Sequence, residues 1–143
     1  MRSINKLLIL LLIFSFLGFV DASYLTVLHY KNIIPPCTIT HGCEKVLSSS
    51  YAVIFGIALS AYGMAYFVVS IFANLLLFKY QKNVWLRRLY TLFNYSGLIA
   101  AFIFLWLQFI VIKSLCQYCL LTELILFILF YLSLLFLRRT KLA

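Results

Sequence analysis

Charged residues are scarce in this chain, at 10% of its 143 residues, and only three of them are acidic. Soluble globular domains have about a quarter of their residues charged, so that class is excluded. Disorder is excluded as well, because 66% of the residues are apolar and 18% are aromatic, which is too much apolar surface to stay solvated. A mean hydropathy of +1.10 leaves an integral membrane protein.

Four apolar runs are long enough to cross a bilayer, which takes about 20 residues each. They cover residues 7–28, 51–78, 89–112 and 115–137. The longest connection, residues 29–50, has 22 residues, so there is no space for a soluble domain. We therefore predict an all-α integral membrane protein. It forms a single domain over residues 1–143, a four-transmembrane-helix bundle with a loop between helices 1 and 2.

Basic residues predict the orientation, since lysine and arginine in short flanks stay on the cytoplasmic side. Nine of the twelve flank the termini and the middle loop: Arg2, Lys6, Lys79, Lys82, Arg87, Arg88, Arg138, Arg139 and Lys141. The other three are Lys31, Lys45 and Lys113. This distribution predicts a multi-pass protein of the cell (inner) membrane with both termini cytoplasmic and the 29–50 loop extracytoplasmic. It also explains the net charge of +9 without nucleic acid, because the basic residues mark helix ends and form no stripe.

The first run has an alternative interpretation as a secretory signal. It combines a basic head, an apolar stretch and Val20-Asp21-Ala22, which resembles a cleavage site. The apolar character resumes at Tyr24 and continues to Leu28, which gives the run a spanning length. We therefore expect a first transmembrane helix. Cleavage would leave three spans and would not move the cysteines of the loop.

All four cysteines fall on the predicted extracytoplasmic side. Cys37 and Cys43 lie in the long loop, and Cys116 and Cys119 form a C-x-x-C pair at the start of the fourth run. Disulfides form and persist in that compartment, and C-x-x-C is the spacing of thiol–disulfide redox sites. Four thiols allow three pairings, which the spacing alone leaves open.

The residues next to the cysteines predict local structure and thiol reactivity. Ser114 and Gln117 have the spacing of a capping box, which predicts that the fourth helix starts there with Cys116 in its first turn. A helix start, with Lys113 close by, should lower the pKa of this thiol. On the loop, Pro35-Pro36 predicts extended chain before Cys37, and Gly42 permits a sharp turn before Cys43.

Three interpretations compete. A redox relay uses every cysteine and explains why one pair is aqueous and the other lies at the membrane edge. Alternatively, the protein is a small non-enzymatic membrane protein, and the cysteines only fasten the loop to the bundle. A four-thiolate metal site is the weakest, because an oxidising compartment opposes reduced ligands, so no metal is expected.

The chain resembles prokaryotic members of the vitamin K epoxide reductase family that lack a fused thioredoxin-like domain. The resemblance rests on residues 18–26 of the first run, the loop from Cys37 to Ser49, Gly63, and the later C-x-x-C at 116–119. In another group of four-span, quinone-linked thiol oxidases the C-x-x-C comes first. Here it comes last, as in the vitamin K epoxide reductase pattern.

The resemblance implies a quinone-dependent thiol oxidase. Cys37 would exchange with a separate extracytoplasmic thioredoxin-fold partner, Cys43 would pass electrons to Cys116, and Cys119 would reduce a membrane quinone, ubiquinone or menaquinone. A Cys43–Cys116 bond would then alternate with Cys37–Cys43 and Cys116–Cys119 bonds. Ser49 corresponds to the polar residue of the family's quinone pocket.

Further pocket residues follow from position along the chain. Tyr51 and Tyr118 flank the reactive elements and are expected to line the quinone pocket. Glu123 lies one helical turn after Cys119 on the same face, where we expect it either to take up or deliver a proton when the quinone is reduced or to bond to a neighbouring helix. Asn74, Asn94 and Gln108 are expected to form hydrogen bonds between helices.

The chain departs from the family pattern at Ser50 and Ala58, where many bacterial members have proline. It also has no clear match to the tyrosine and asparagine that the animal enzymes place near the quinone. These departures argue against vitamin K epoxide as the natural substrate, so reduction of vitamin K quinone or epoxide is the alternative activity and not the expected one.

Overall fold

The computed structural model describes residues 2–142. In chain order its elements are α1 (Arg2–Tyr30), α2 (Cys43–Leu47), a 3₁₀ turn (Ser50–Ala52), β1 (Val53–Ile54), β2 (Ile57–Ala58), α3 (Leu59–Lys79), α4 (Val84–Trp106), a π-helical segment (Leu107–Ile112) and α5 (Gln117–Leu142). The π-helical segment continues α4, so the third long helix runs over Val84–Ile112. Four helices are long and apolar enough to cross a membrane, which confirms the predicted fold class.

The long helices pack into a bundle with one loosely closed side. Helix α1 packs along α3 and α5, α5 also packs against α4, and α3 and α4 make little contact with each other. At the α1–α3 contact, a Cβ added to Gly18 would overlap the ring of Phe67, so glycine permits this approach. The fully buried large apolar side chains are Leu8, Leu11, Phe67, Leu77, Leu129 and Phe136.

Polar side chains join the helices on the inside of the bundle. The hydroxyls of Ser15 and Ser70 lie 2.9 Å apart, and the Asn74 amide donates to the carbonyl of Leu8 at 3.2 Å. The predicted bond between helices is therefore confirmed for Asn74. Such buried hydrogen bonds hold helices together where the surroundings are as apolar as the helix surfaces.

The second apolar run is not helical throughout, which corrects the predicted span of residues 51–78. Helix α3 begins only at Leu59. Before it, β1 and β2 form an antiparallel hairpin in which Ile54 pairs with Ile57. Phe55 and Gly56 make the two-residue turn with φ of 54° and 76°, the left-handed values of a type I′ turn. Hydropathy alone cannot distinguish a short β-branched hairpin from helix.

Candidate functional site

Cys37 and Cys43 form a disulfide in the loop that follows α1. Their Cα atoms lie 5.8 Å apart, and Cys43 is the first residue of α2. Cys43 is fully buried, whereas Cys37 is half-buried. Cys37 is therefore the more accessible sulfur of this bond. This pairing is one of the three states expected from the sequence.

The loop is fastened to the C-x-x-C segment by three contacts. The backbone N–H of Ile39 donates to the Gln117 side chain at 3.0 Å, and the Tyr118 hydroxyl donates to the carbonyl of Pro36 at 2.9 Å. Gly42 packs directly on the backbone of Leu115, where an added Cβ would lie 2.5 Å from the carbonyl oxygen. The loop disulfide thus lies over the start of α5.

Gly42 serves a different purpose from the one predicted. Its φ of −109° is open to any residue, and His41 has the left-handed φ of 53° instead. The sharp turn before Cys43 therefore does not need the conformational freedom of glycine. What needs a missing side chain at Gly42 is the close approach to Leu115.

The two cysteine pairs share one small core. Cys43 and Cys116 are both fully buried and cluster with Val46, and Cys37 and Cys119 pack against this group. Cys116 and Cys119 are free thiols. The fold therefore brings together the four cysteines that the sequence separates by up to 82 positions.

Cys116 caps α5, which corrects the predicted capping box. The helix begins at Gln117, and the Cys116 carbonyl accepts the N–H of Leu120 at 2.9 Å. Ser114 lies outside the helix because the chain reverses at Lys113, whose φ is 56°. Gln117 is not available for a capping box either, since its side chain accepts the hydrogen bond from Ile39.

The capping position makes the Cys116 sulfur a hydrogen-bond acceptor. A hydrogen bond from the Cys119 thiol, with smaller contributions from the backbone N–H groups of Cys119 and Tyr118, lowers the pKa of Cys116 from 9.0 to about 7 against the opposing effect of burial. The lowered pKa was predicted from the helix start. Lys113 is not among its causes.

Gln108 connects the Cys116 backbone to a buried acid. The first π-helical turn directs the Gln108 side chain inward, where its oxygen accepts the backbone N–H of Cys116 at 3.1 Å. Its nitrogen donates to Oε1 of Glu123 at 2.5 Å. Both side chains are about 97% buried. The predicted helix-to-helix bond of Gln108 is confirmed, but its place beside Cys116 was missed, because only a lone amide in an apolar run signals it.

A cavity of about 560 Å³ opens beside the C-x-x-C pair. Its wall is mostly apolar and includes residues of α1, the 48–52 segment, α3, α4 and α5. Four sequence-predicted residues line it, namely Cys119, Ser49, Tyr51 and Glu123. Volume and lining suit a ligand with an apolar body and a few polar atoms.

Contacts with neighbouring residues hold Ser49, in the cavity wall, and Tyr118 and Asp21, outside it. Tyr118 is not part of its wall, and its ring packs against Tyr24 at 5.6 Å between centroids. The Ser49 hydroxyl donates to the carbonyl of Val46 at 2.7 Å. Asp21 accepts a 2.5 Å hydrogen bond from Thr122. Within residues 2–142, no group of three or more His, Cys, Asp or Glu side chains is placed to hold a metal ion.

This membrane helical bundle places a disulfide, two free thiols and an apolar cavity next to one another. These are the parts that a membrane redox protein needs. The chain matches the Vitamin K epoxide reductase family over residues 9–134, and it belongs to that family. The family is one of oxidoreductases, so the chain is a membrane oxidoreductase with a redox function. A comparison with curated proteins finds no match.

Proposed function

We propose that the protein is a quinone-dependent thiol oxidase. Electrons pass from a thioredoxin-fold partner to the Cys37/Cys43 pair, from there to the Cys116/Cys119 pair, and then to ubiquinone or menaquinone. The observation that carries the proposal is that the two cysteine pairs share one core while Cys119 alone among the four lines the cavity.

The first exchange takes place at Cys37. The partner's thiolate attacks the half-buried Cys37 sulfur, and Cys43 leaves as a thiolate inside the protein. A second partner thiol then displaces Cys37, which releases the partner as a disulfide. Because Cys43 is fully buried, solvent thiols reach it poorly and its thiolate is kept for the internal exchange.

The second exchange moves the electrons to the C-x-x-C pair. The Cys43 thiolate attacks Cys116 of a Cys116–Cys119 bond and frees Cys119. Cys37 then attacks Cys43, restores the loop disulfide and expels Cys116 as a thiolate. A low pKa makes a thiol a better leaving group, and the pKa of Cys116 is about 7. The result is the state described above, with the loop oxidised and the C-x-x-C pair reduced.

The cavity fits a quinone as substrate. Its apolar wall accepts a ring and the first part of an apolar tail, and Ser49, Tyr51 and Glu123 supply polar atoms. The quinone takes up two electrons and two protons to become a hydroquinone, and the Cys116/Cys119 pair returns to a disulfide.

The basic residues support an orientation for this activity. Nine of the twelve lysines and arginines lie at the termini and in the 79–88 segment. Because such residues stay on the cytoplasmic side, both termini lie in the cytoplasm and the cysteines face an oxidising compartment. The partner is then an extracytoplasmic thioredoxin-fold protein that makes disulfides in other proteins. For a protein of the inner membrane, the extracytoplasmic side is the compartment where disulfides persist.

The test uses purified protein in lipid nanodiscs with a reduced thioredoxin-fold protein as electron donor and ubiquinone, menaquinone or vitamin K epoxide as acceptor. We expect quinone reduction with one partner disulfide formed per hydroquinone, and a loss of at least about a thousandfold in Cys119→Ala. Ser133→Ala, in α5 but outside the cavity wall, is the control. Quinone reduction unchanged by Cys119→Ala would overturn the proposal.

The same experiment separates the alternatives. If the epoxide alone is reduced, the protein is a vitamin K reductase. If mass mapping finds a Cys37–Cys43 bond that reduced partner never opens, the cysteines are structural.

A further inference from the structure

The two carboxyl oxygens of Glu123 differ in their hydrogen bonding. Oε1 accepts the Gln108 amide at 2.5 Å, whereas Oε2 is buried and has no hydrogen-bond partner within the part of the chain that the structure describes. The residue is 3% exposed and lines the cavity. Buried polar atoms in proteins are nearly always hydrogen-bonded, so Oε2 is the carboxyl oxygen that is available to a ligand in the cavity.

The surroundings of Glu123 favour an uncharged carboxyl group. Among the described residues that line the cavity there is no lysine or arginine, and the only basic side chain is that of His29. Burial without a counter-ion disfavours the carboxylate, while a carboxylic acid keeps an O–H group that it can donate. The Gln108 amide occupies Oε1, so Oε2 is the oxygen that carries this proton, on a residue that lines the cavity.

We propose that Glu123 is the proton donor to the quinone oxygen when the Cys116/Cys119 pair is oxidised. This inference rests on the proposed function, because it assigns a role within quinone reduction. It extends that function by naming the source of a proton that the cysteines do not supply.

The proton balance shows why an acid is needed. Hydroquinone formation takes two electrons and two protons. The pKa of Cys116 is about 7, so at neutral pH much of this cysteine is a thiolate and brings no proton. Cys116 thiolate, Cys119 thiol and Glu123 acid then react with one quinone. The products are the Cys116–Cys119 disulfide, one hydroquinone and Glu123 carboxylate, with one negative charge on each side.

The other two acids of the chain are not placed for this step. Asp21 is engaged with the Thr122 hydroxyl and does not line the cavity. Glu44 is exposed on α2, also outside the cavity wall. These two residues therefore provide matched controls, because Asp21→Asn and Glu44→Gln make the same carboxyl-to-amide change as Glu123→Gln.

The first arm of the test measures two half-reactions in nanodiscs. In Glu123→Gln we expect oxidation of the reduced C-x-x-C pair by menaquinone to slow about a hundredfold or more, the usual contribution of a general acid. Reduction of the Cys116–Cys119 disulfide by dithiothreitol, which becomes a disulfide itself, should stay within about twofold of wild type, which shows that the variant is folded. Glu44→Gln should behave as wild type in both assays.

The second arm does not depend on turnover. Infrared difference spectra between the reduced protein and the protein oxidised by menaquinone should show the loss of a protonated carboxyl C=O band. This band should be missing in Glu123→Gln and present in Asp21→Asn and Glu44→Gln.

The outcomes distinguish this inference from the proposed function. If wild type reduces quinone and Glu123→Gln does so at a similar rate, only the proton-donor role is wrong. If Asp21→Asn, and not Glu123→Gln, removes the carboxyl band and the rate, the donor is Asp21 and the inference is overturned. If wild-type protein does not reduce quinone at all, both proposals fail.

Discussion

Gly42 and Leu115 touch backbone to backbone, and this contact sets the loop disulfide against the start of α5. An added Cβ at Gly42 would lie 2.5 Å from the Leu115 carbonyl oxygen and 2.8 Å from its nitrogen. Neither atom is the flexible end of a side chain, so the loop itself must move if the glycine is replaced. Cys43 is the next residue and would move with it.

Gly42→Ala should therefore slow formation of the Cys43–Cys116 bond. The measurement uses a Cys37→Ala/Cys119→Ala background, in which only these two thiols remain, and follows oxidation by non-reducing mass mapping. We expect the bond to form at least about tenfold more slowly, since small displacements of reacting atoms have effects of this size or larger. Gly63→Ala is the control, because its Cβ would only touch Ala22 at 3.7 Å. Equal rates in Gly42→Ala and the parent would show that the contact does not position Cys43.

The pKa of Cys116 depends on a donor at position 119. In Cys119→Ser the hydroxyl still donates, and alkylation of Cys116 by iodoacetamide should reach half its maximal rate near pH 7. In Cys119→Ala the largest cause of the lowered pKa is gone, so the midpoint should move up toward the ordinary value of 9.0. The pH midpoint is the readout, because burial slows alkylation of Cys116 at every pH. Coincident profiles for the two variants would contradict this origin of the shift.

Gln108 should be important for stability as well as for the site. Gln108→Leu removes the partner of the Cys116 N–H and of Glu123 Oε1, which leaves buried polar groups unpaired. We expect a loss of about 2 kcal/mol in the free energy of unfolding, measured by SDS titration in mixed micelles. Gln81→Leu breaks an exposed bond to Asn5 and should cost less than about 0.5 kcal/mol. Similar losses in the two variants would argue against the buried network.

The orientation has a direct test by labelling. In a variant without the native cysteines, Lys45→Cys and Lys82→Cys each provide one exposed thiol, on α2 and between α3 and α4. A membrane-impermeant maleimide added to intact cells should label Lys45→Cys and spare Lys82→Cys. Lysed cells should label both. The opposite pattern in intact cells would reverse the topology and place the cysteines in the cytoplasm.

Hydropathy was sufficient to predict the four-helix architecture. A bilayer imposes a length and an apolar composition on each spanning helix, and both can be counted along the chain. The cysteine pairs were likewise recognisable from C-x-x-C and the loop spacing. These are properties of single segments, which is why the sequence reveals them.

The parts that could not be predicted depend on contacts between segments. The start of α5 at Gln117, rather than at Ser114, goes with the left-handed Lys113 and with the Gln108 side chain, which holds the Cys116 N–H from another helix. The side chain of Gln117 is committed to the loop at Ile39. Similarly, residues 53–58 are as apolar as the membrane-spanning helix that follows them. Only the left-handed Phe55-Gly56 turn distinguishes this hairpin from the start of that helix. Pairwise contacts of this kind leave no periodic pattern.

The hairpin just before α3 presents large apolar side chains on the outside of the protein. Phe55 at its tip is 96% exposed, and Val53, Ile54 and Ile57 are exposed on the same short ribbon. Such a surface suits the interface of a bilayer far better than water. The ribbon is continuous with the 48–52 segment that closes one side of the cavity. The solvent of this small sheet is then lipid, and part of the cavity wall belongs to a segment that continues directly into it.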